Sequence, residues 1–115
     1  MLTLSPSIRI YLCLRPTDMR RGFDRLAEEA RAHVGEDPLS GHLFVFRNRR
    51  ENRLKVLYWD RNGYAVWYKR LECGRFRFPN GDGASVRVLP PAAFQLLLGG
   101  VIKNRIETLD SEIGS

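Results

Sequence analysis

Apolar and polar residues alternate over 8–14 (IRIYLCL), the period of a half-buried strand, and Pro16 closes it. A different period follows. Met19, Phe23, Leu26, Ala27, Ala30 and Val34 fall on one helical face, so the spacing predicts an amphipathic helix over 18–34, with Thr17 or Asp18 as N-cap and Gly35 as stop. Residues 35–41 are dense in turn formers and predict a loop. Beyond it the aromatic and branched residues of 43–46, 54–59, 64–71 and 75–78 read as strands. The run Asp60-Arg61-Asn62-Gly63 predicts a hairpin between two of them, closed by a three-residue loop over 61–63 or by the two-residue loop Asn62-Gly63. Residues 85–89 read as one more strand. A short helix over 91–98 follows, with Pro91 in its first turn and Gly99-Gly100 at its end. The fold class is therefore α+β: an antiparallel sheet of about five to six strands, one long amphipathic helix after the first strand and a short C-terminal helix, with the helices on one face. One domain is expected over 1–102, followed by a weakly ordered tail over 103–115.

With 115 residues there is room for one domain. An apolar content of 43% argues for a folded chain rather than a disordered one. Stretches of membrane-spanning length are missing; the longest apolar candidate, 92–102, is short and holds Gln95. The first residues have neither a basic n-region nor a cleavage site, so they do not read as a signal peptide. Two cysteines, Cys13 and Cys73, allow at most one disulfide, which a core of this size does not need, and a reduced cytoplasmic setting is the default.

Charge changes the picture more. Nineteen basic residues stand against thirteen acidic ones, a net of +6, and sixteen of the bases are Arg, whose planar fork suits phosphate. Between 43 and 78 lie Arg47, Arg49, Arg50, Arg53, Lys55, Arg61, Lys69, Arg70, Arg75 and Arg77, ten bases against three acids, a net of +7. The predicted helix over 18–34 balances to zero. Nucleic acid is the first partner this implies, and an anionic membrane surface the second. Either hairpin loop would set Lys55 opposite another base, Lys69 or Arg70, a repulsion that a polyanion would relieve. Tyr58, Trp59, Tyr64, Trp67 and Tyr68 are interleaved with these bases. Base stacking is one use for them; the inner face of a sheet is the preferred one.

Arg20 and Arg21 stand in the first turn of the predicted helix, where the macrodipole disfavours bases, and Gly22 beside them weakens the helix. Together they could bind an anion. Simple neutralisation by Asp18 and Asp24 explains them equally well.

Catalytic chemistry finds little support. The separations of Cys13, His33, His42 and Cys73 match no zinc-ligand spacing. A nuclease needs carboxylates converging on a metal, whereas Asp60 reads as a turn residue, Asp18 as a cap and Asp24 as helix surface. Gly81-Asp82-Gly83 lacks the helix and Lys of a phosphate loop. The residues point to a protein without catalytic residues, cofactor or metal.

Several strings are long enough to be specific: PTDMRRGFD (16–24), DPLSGHLFVF (37–46), VLYWD (56–60) and WYKRLE (67–72), with Gly74 and Phe76. They resemble the TnpB accessory proteins of the insertion-sequence-66 family, which are distinct from the RNA-guided nuclease of the same name. The similarity runs from about residue 8 to residue 102. It implies a small bacterial protein encoded beside a separate, larger transposase that carries the acidic catalytic residues, and a non-enzymatic role in assisting transposition. No family catalytic residue exists to carry over. One departure is Pro90, where relatives carry Ser or Thr ahead of the last helix, so that helix lacks its side-chain cap.

The resemblance implies the process and the charge implies the means: DNA binding at element ends, expected through Arg20, Arg21, Arg47, Arg49, Arg50, Arg53, Lys55, Lys69, Arg70, Arg75 and Arg77. The alternative is a module that docks on the transposase through its sheet or first helix. RNA binding on the aromatic sheet comes third. Self-association stays open.

Overall fold

A computed structural model of the chain describes residues 5–79 and 83–100. Its elements run β1 (Ile10–Pro16), α1 (Phe23–Glu29), a π-helical continuation (Ala30–Val34), β2 (Leu43–Arg47), β3 (Arg53–Asp60), β4 (Gly63–Arg70), β5 (Val86–Leu89) and α2 (Pro91–Gly99). The expected tail over 103–115 lies outside the described residues, as do residues 80–82.

The strands form one sheet in the order β4-β3-β2-β1-β5. It is mixed, not antiparallel. β1 and β2 run parallel, pairing Ile10 with Leu43 and Leu12 with Val45, while the other neighbours are antiparallel. The reason is the helix between them. A helical connection returns the chain to the end where it began, so the next strand runs the same way.

The sheet is covered on both faces, which corrects the expectation of helices on one. Tyr11, Cys13, Phe44, Phe46 and Leu57 point to one face and pack with Leu26, Ala27 and Ala30 of the first helical segment. Their chain neighbours Ile10, Leu12, Val45, Leu54 and Val56 point to the other and pack with Phe94, Leu97 and Leu98 of α2. Strand side chains alternate in direction, so one short sheet serves two cores. Phe76 fills the second core, its N–H donating to the Glu51 carbonyl at 2.7 Å. Residues 75–78 are therefore a plug rather than a strand.

The helix after β1 is shorter than predicted. Asp18 turns its carboxylate onto the N–H of Arg20 (2.9 Å), and the chain is extended at Gly22 (φ −99°, ψ −158°), so helix begins only at Phe23 with Gly22 as N-cap. Phe23 is 50% exposed, and the buried stripe is Leu26, Ala27 and Ala30. The end is where the sequence places it. Gly35 takes a left-handed φ of 80° and donates to the Ala30 carbonyl at 3.0 Å.

The β3–β4 hairpin takes neither anticipated loop. Asp60 pairs with Gly63 around a two-residue Arg61-Asn62 loop, with Arg61 at φ 54°. This register sets Leu57 opposite Val66 on the α1 face and Val56 opposite Trp67 on the α2 face. Slipping by one residue would turn every β4 side chain to the wrong core. Lys55 consequently faces Tyr68, and the like-charged pair across the strands is Arg53 with Arg70.

α2 begins with Pro91 at N1, and Pro90 supplies no side-chain cap. It ends against Gly100, whose φ is 69° and where an added Cβ would come within 2.8 Å of Leu71 Cδ1. Gly100→Ala should therefore destabilise the fold by about 1–3 kcal/mol. Gly99→Ala, inside the helix with open space around it, should instead be neutral or stabilising by up to about 1 kcal/mol. Opposite shifts in denaturant midpoint would verify the pair; equal losses would refute it.

Candidate nucleic-acid interface

The turn between β2 and β3 is built on one carboxamide. Asn48 Oδ1 accepts the N–H groups of Asn52 (3.1 Å) and Arg53 (2.9 Å), and its Nδ2 donates to Asn52 Oδ1 (2.7 Å). Glu51 completes the reversal at φ 63° and donates its N–H to the Asn48 carbonyl at 3.1 Å. With its backbone thus occupied, the turn leaves Arg49 and Arg50 in solvent.

A second turn lies alongside. Thr17 N–H donates to the Arg47 carbonyl (2.8 Å), which brings the end of β1 against the end of β2. Asp18 then grips Arg20 through both oxygens, with Nε at 3.1 and 3.2 Å and Nη2 at 2.8 Å. These hydrogen bonds hold the Asp18 carboxyl well below the usual carboxylate range and raise the guanidinium of Arg20. Arg20 and Arg21 lie just ahead of the helix, which starts at Phe23, rather than within its first turn.

Between the two turns runs an open groove of about 350 Å³, lined by Thr17, Asp18 and Arg20 on one side and by Arg49, Arg50 and Arg53 on the other. Arg49 and Arg50 meet no carboxylate among the described residues. Arg53 also borders a neighbouring depression of about 430 Å³ with Tyr68, Arg70 and Glu72. The result is a continuous track of five arginines along one end of the sheet, with Asp18 and Glu72 as its acids.

The remaining bases are placed elsewhere. Lys55 is only 9% exposed, its Nζ donating to the Arg21 carbonyl at 2.8 Å and lying 4.8 Å from the Tyr68 ring centroid. Lys69 donates to the Leu98 carbonyl at 2.9 Å, near the end of α2. Arg47 donates to the Leu14 and Asn48 carbonyls and lies over Phe78, 5.3 Å from its centroid, with its Nε buried and unpartnered. Arg21 pairs with Glu29, and Arg75 with Glu51 at 3.7 Å. Arg77 is exposed on the α2 side, bordering an apolar groove with Phe78, Leu96 and Leu97.

The aromatics follow the inner-face expectation with one exception. Tyr58 and Trp67 pack against the α2-side core, Tyr64 against the α1-side core, and Trp59 meets Tyr64 edge-on at 5.2 Å. Tyr68 is 45% exposed, and its hydroxyl accepts from Arg53 Nη1 at 2.7 Å.

His33 Nδ1 meets Arg15 Nη1 and His42 Nδ1 accepts from Arg9 N–H, both at 2.9 Å. No three His, Cys, Asp or Glu side chains among the described residues gather as a metal site. Among the same residues, no helix is long and apolar enough to cross a membrane.

The sequence reading missed Asn48, whose available signal was an Asn followed four residues later by another Asn, between two strand patterns. Asn48→Ala should cost about 1–3 kcal/mol by stranding the Asn52 and Arg53 N–H groups. Backbone amide exchange over 48–53 should quicken with it. Unchanged protection there would mean that the turn does not depend on the carboxamide.

The family model described as IS66 Orf2 like protein matches residues 8–108. Two proteins of Sinorhizobium fredii (strain NBRC 101917 / NGR234) are similar along most of the chain. The uncharacterized protein y4hO is 38% identical over 101 residues, covering 88% of this chain and 87% of its own. The uncharacterized protein y4jC is 35% identical over 107 residues, covering 93% and 91%. No solved structure matches. The chain belongs to the IS66 Orf2-like family, the accessory proteins of an insertion sequence.

Proposed function

We propose that this protein is a non-enzymatic accessory factor of transposition that binds DNA at the ends of its element, in the cytoplasm and alongside the separate transposase. The observation that supports this reading is the groove in which Arg20, from one loop, meets Arg49, Arg50 and Arg53, from another. Arginines that repel one another while two of them meet no acid among the described residues are costly for a free protein and useful against a phosphate backbone. The contact surface is the track of Arg20, Arg49, Arg50, Arg53 and Arg70. Lys55 and Lys69, whose ammonium groups are engaged by backbone carbonyls, have no part in it.

A second reading, docking on the transposase, draws support from the exposed ring of Phe23 on α1. The two readings separate cleanly. If about five phosphates are neutralised, the log–log salt slope for duplex DNA should be near −4.5, at ~0.9 per contact. Replacing Arg20, Arg49 and Arg50 together with Ala should flatten it by up to about 2.7 at ~0.9 per contact, with little change in melting temperature. Docking alone predicts a slope near zero and loss of transposase capture on Phe23→Ala.

Asp60 stands at the hairpin, 61% exposed at its side chain, with Arg61 Nε 3.8 Å away. Asp60→Asn should leave transposition by the complete system intact, because Asn serves a turn about as well. Abolished strand transfer at an unchanged melting temperature would instead assign Asp60 to catalysis.

A further inference from the structure

Tyr68 is out of keeping with its surroundings. The other four hairpin aromatics are half-buried, whereas Tyr68 keeps 45% of its surface in water on edge strand β4. Its position is nevertheless well fixed. Lys55 Nζ lies over the ring at 4.8 Å, and Arg53 Nη1 holds the hydroxyl at 2.7 Å. One face rests on a cation that is itself anchored to the Arg21 carbonyl. The exposure therefore belongs to the opposite face and edge, beside the 430 Å³ depression that Arg53, Arg70 and Glu72 complete.

A phosphate backbone has no use for an aromatic face. A nucleobase does, since every base carries a π-face that stacks on a phenol ring whatever its sequence. In uninterrupted duplex those faces are already stacked on one another, so only an unpaired base can reach Tyr68. Arg53 and Arg70, paired with each other one row along the strands, line the same depression as the ring, within reach of the phosphates next to such a base.

We infer that the depression beside the arginine track binds an unpaired nucleobase, stacked on Tyr68, and that the protein thereby favours DNA with a single-stranded extension over blunt duplex. This rests on the proposed nucleic-acid reading and adds to it the form of DNA recognised. Arg53 belongs to both parts, holding the ring and contributing to the track, which fixes the distance between duplex phosphates and stacked base.

The test compares three probes by fluorescence anisotropy at one salt concentration: a blunt duplex, the same duplex with a short single-stranded extension, and the same extension built without bases. The base-bearing extension should bind about tenfold more tightly than the abasic one, since their phosphates are equal and only the stack differs. Tyr68→Leu should abolish that difference, while Tyr68→Phe retains it, because the ring and not the hydroxyl carries the stack. An extension made of RNA should gain as much as one of DNA, because stacking reads the base and not the sugar. Equal affinity of the native protein for base-bearing and abasic extensions would overturn the inference while the arginine track still bound duplex. A gain confined to RNA would overturn its assignment to DNA. Failure to bind any of the probes would remove the nucleic-acid reading and this inference together.

Discussion

Lys55 carries its charge almost out of water, between Phe46 on β2 and Tyr68 on β4. A buried ammonium costs several kcal/mol unless partners replace its hydration. Here the Arg21 carbonyl and the Tyr68 ring take that part. The consequence reaches past the lysine. Because the ammonium needs that carbonyl, the loop ahead of α1 is drawn down onto the sheet, and Arg20 on the same loop arrives beside Arg49 and Arg50. Because it needs the ring, Tyr68 stands upright at the sheet edge. The basic groove and the exposed aromatic are both tied to one charge held almost out of solvent.

Charge counting finds the basic region but not its working surface. The +7 between 43 and 78 sums three kinds of cation that the linear sequence does not distinguish. Arg47, Lys55 and Lys69 end on backbone carbonyls, Arg75 ends near a carboxylate, and Arg49 and Arg50 end in water. Strand alternation separates Lys55 from Lys69 only once the hairpin register is known. That register was the point at which reading the loop failed, because Asp-Arg-Asn-Gly fits several turns and only the packing of Val66 and Trp67 against opposite cores chooses among them.

Element existence was legible where one period ran long enough, and topology was not. β1, four of the five later strand segments (all but 75–78), and α2 with its Pro start and Gly end all follow from local pattern. The parallel pairing of β1 and β2 does not, since nothing in either strand says that the two become neighbours in the sheet. Nor does the true helix start. Met19 and Phe23 fit the helical period, yet the Asp18 carboxylate competes for the Arg20 N–H and wins. A side chain that satisfies its own backbone is a local alternative to helix, and periodicity is blind to it.

The same carboxylate also moderates the groove. Asp18 occupies the fork of Arg20 with both oxygens, as an incoming phosphate would have to. The pair therefore leaves Arg49 and Arg50 as the cations of the groove with no carboxylate in their forks among the described residues, while Arg20 is exposed but already oriented. Arg53 and Arg70 stand directly across two strands from each other, a like-charge pairing that a sheet ordinarily avoids. Glu72 chelates Arg70 and raises its guanidinium, and the Tyr68 hydroxyl accepts from Arg53, so each charge is held apart by its own neighbour. Neither arrangement neutralises the groove. They orient its guanidinium groups in advance, and orientation settled before binding is entropy that need not be lost on binding.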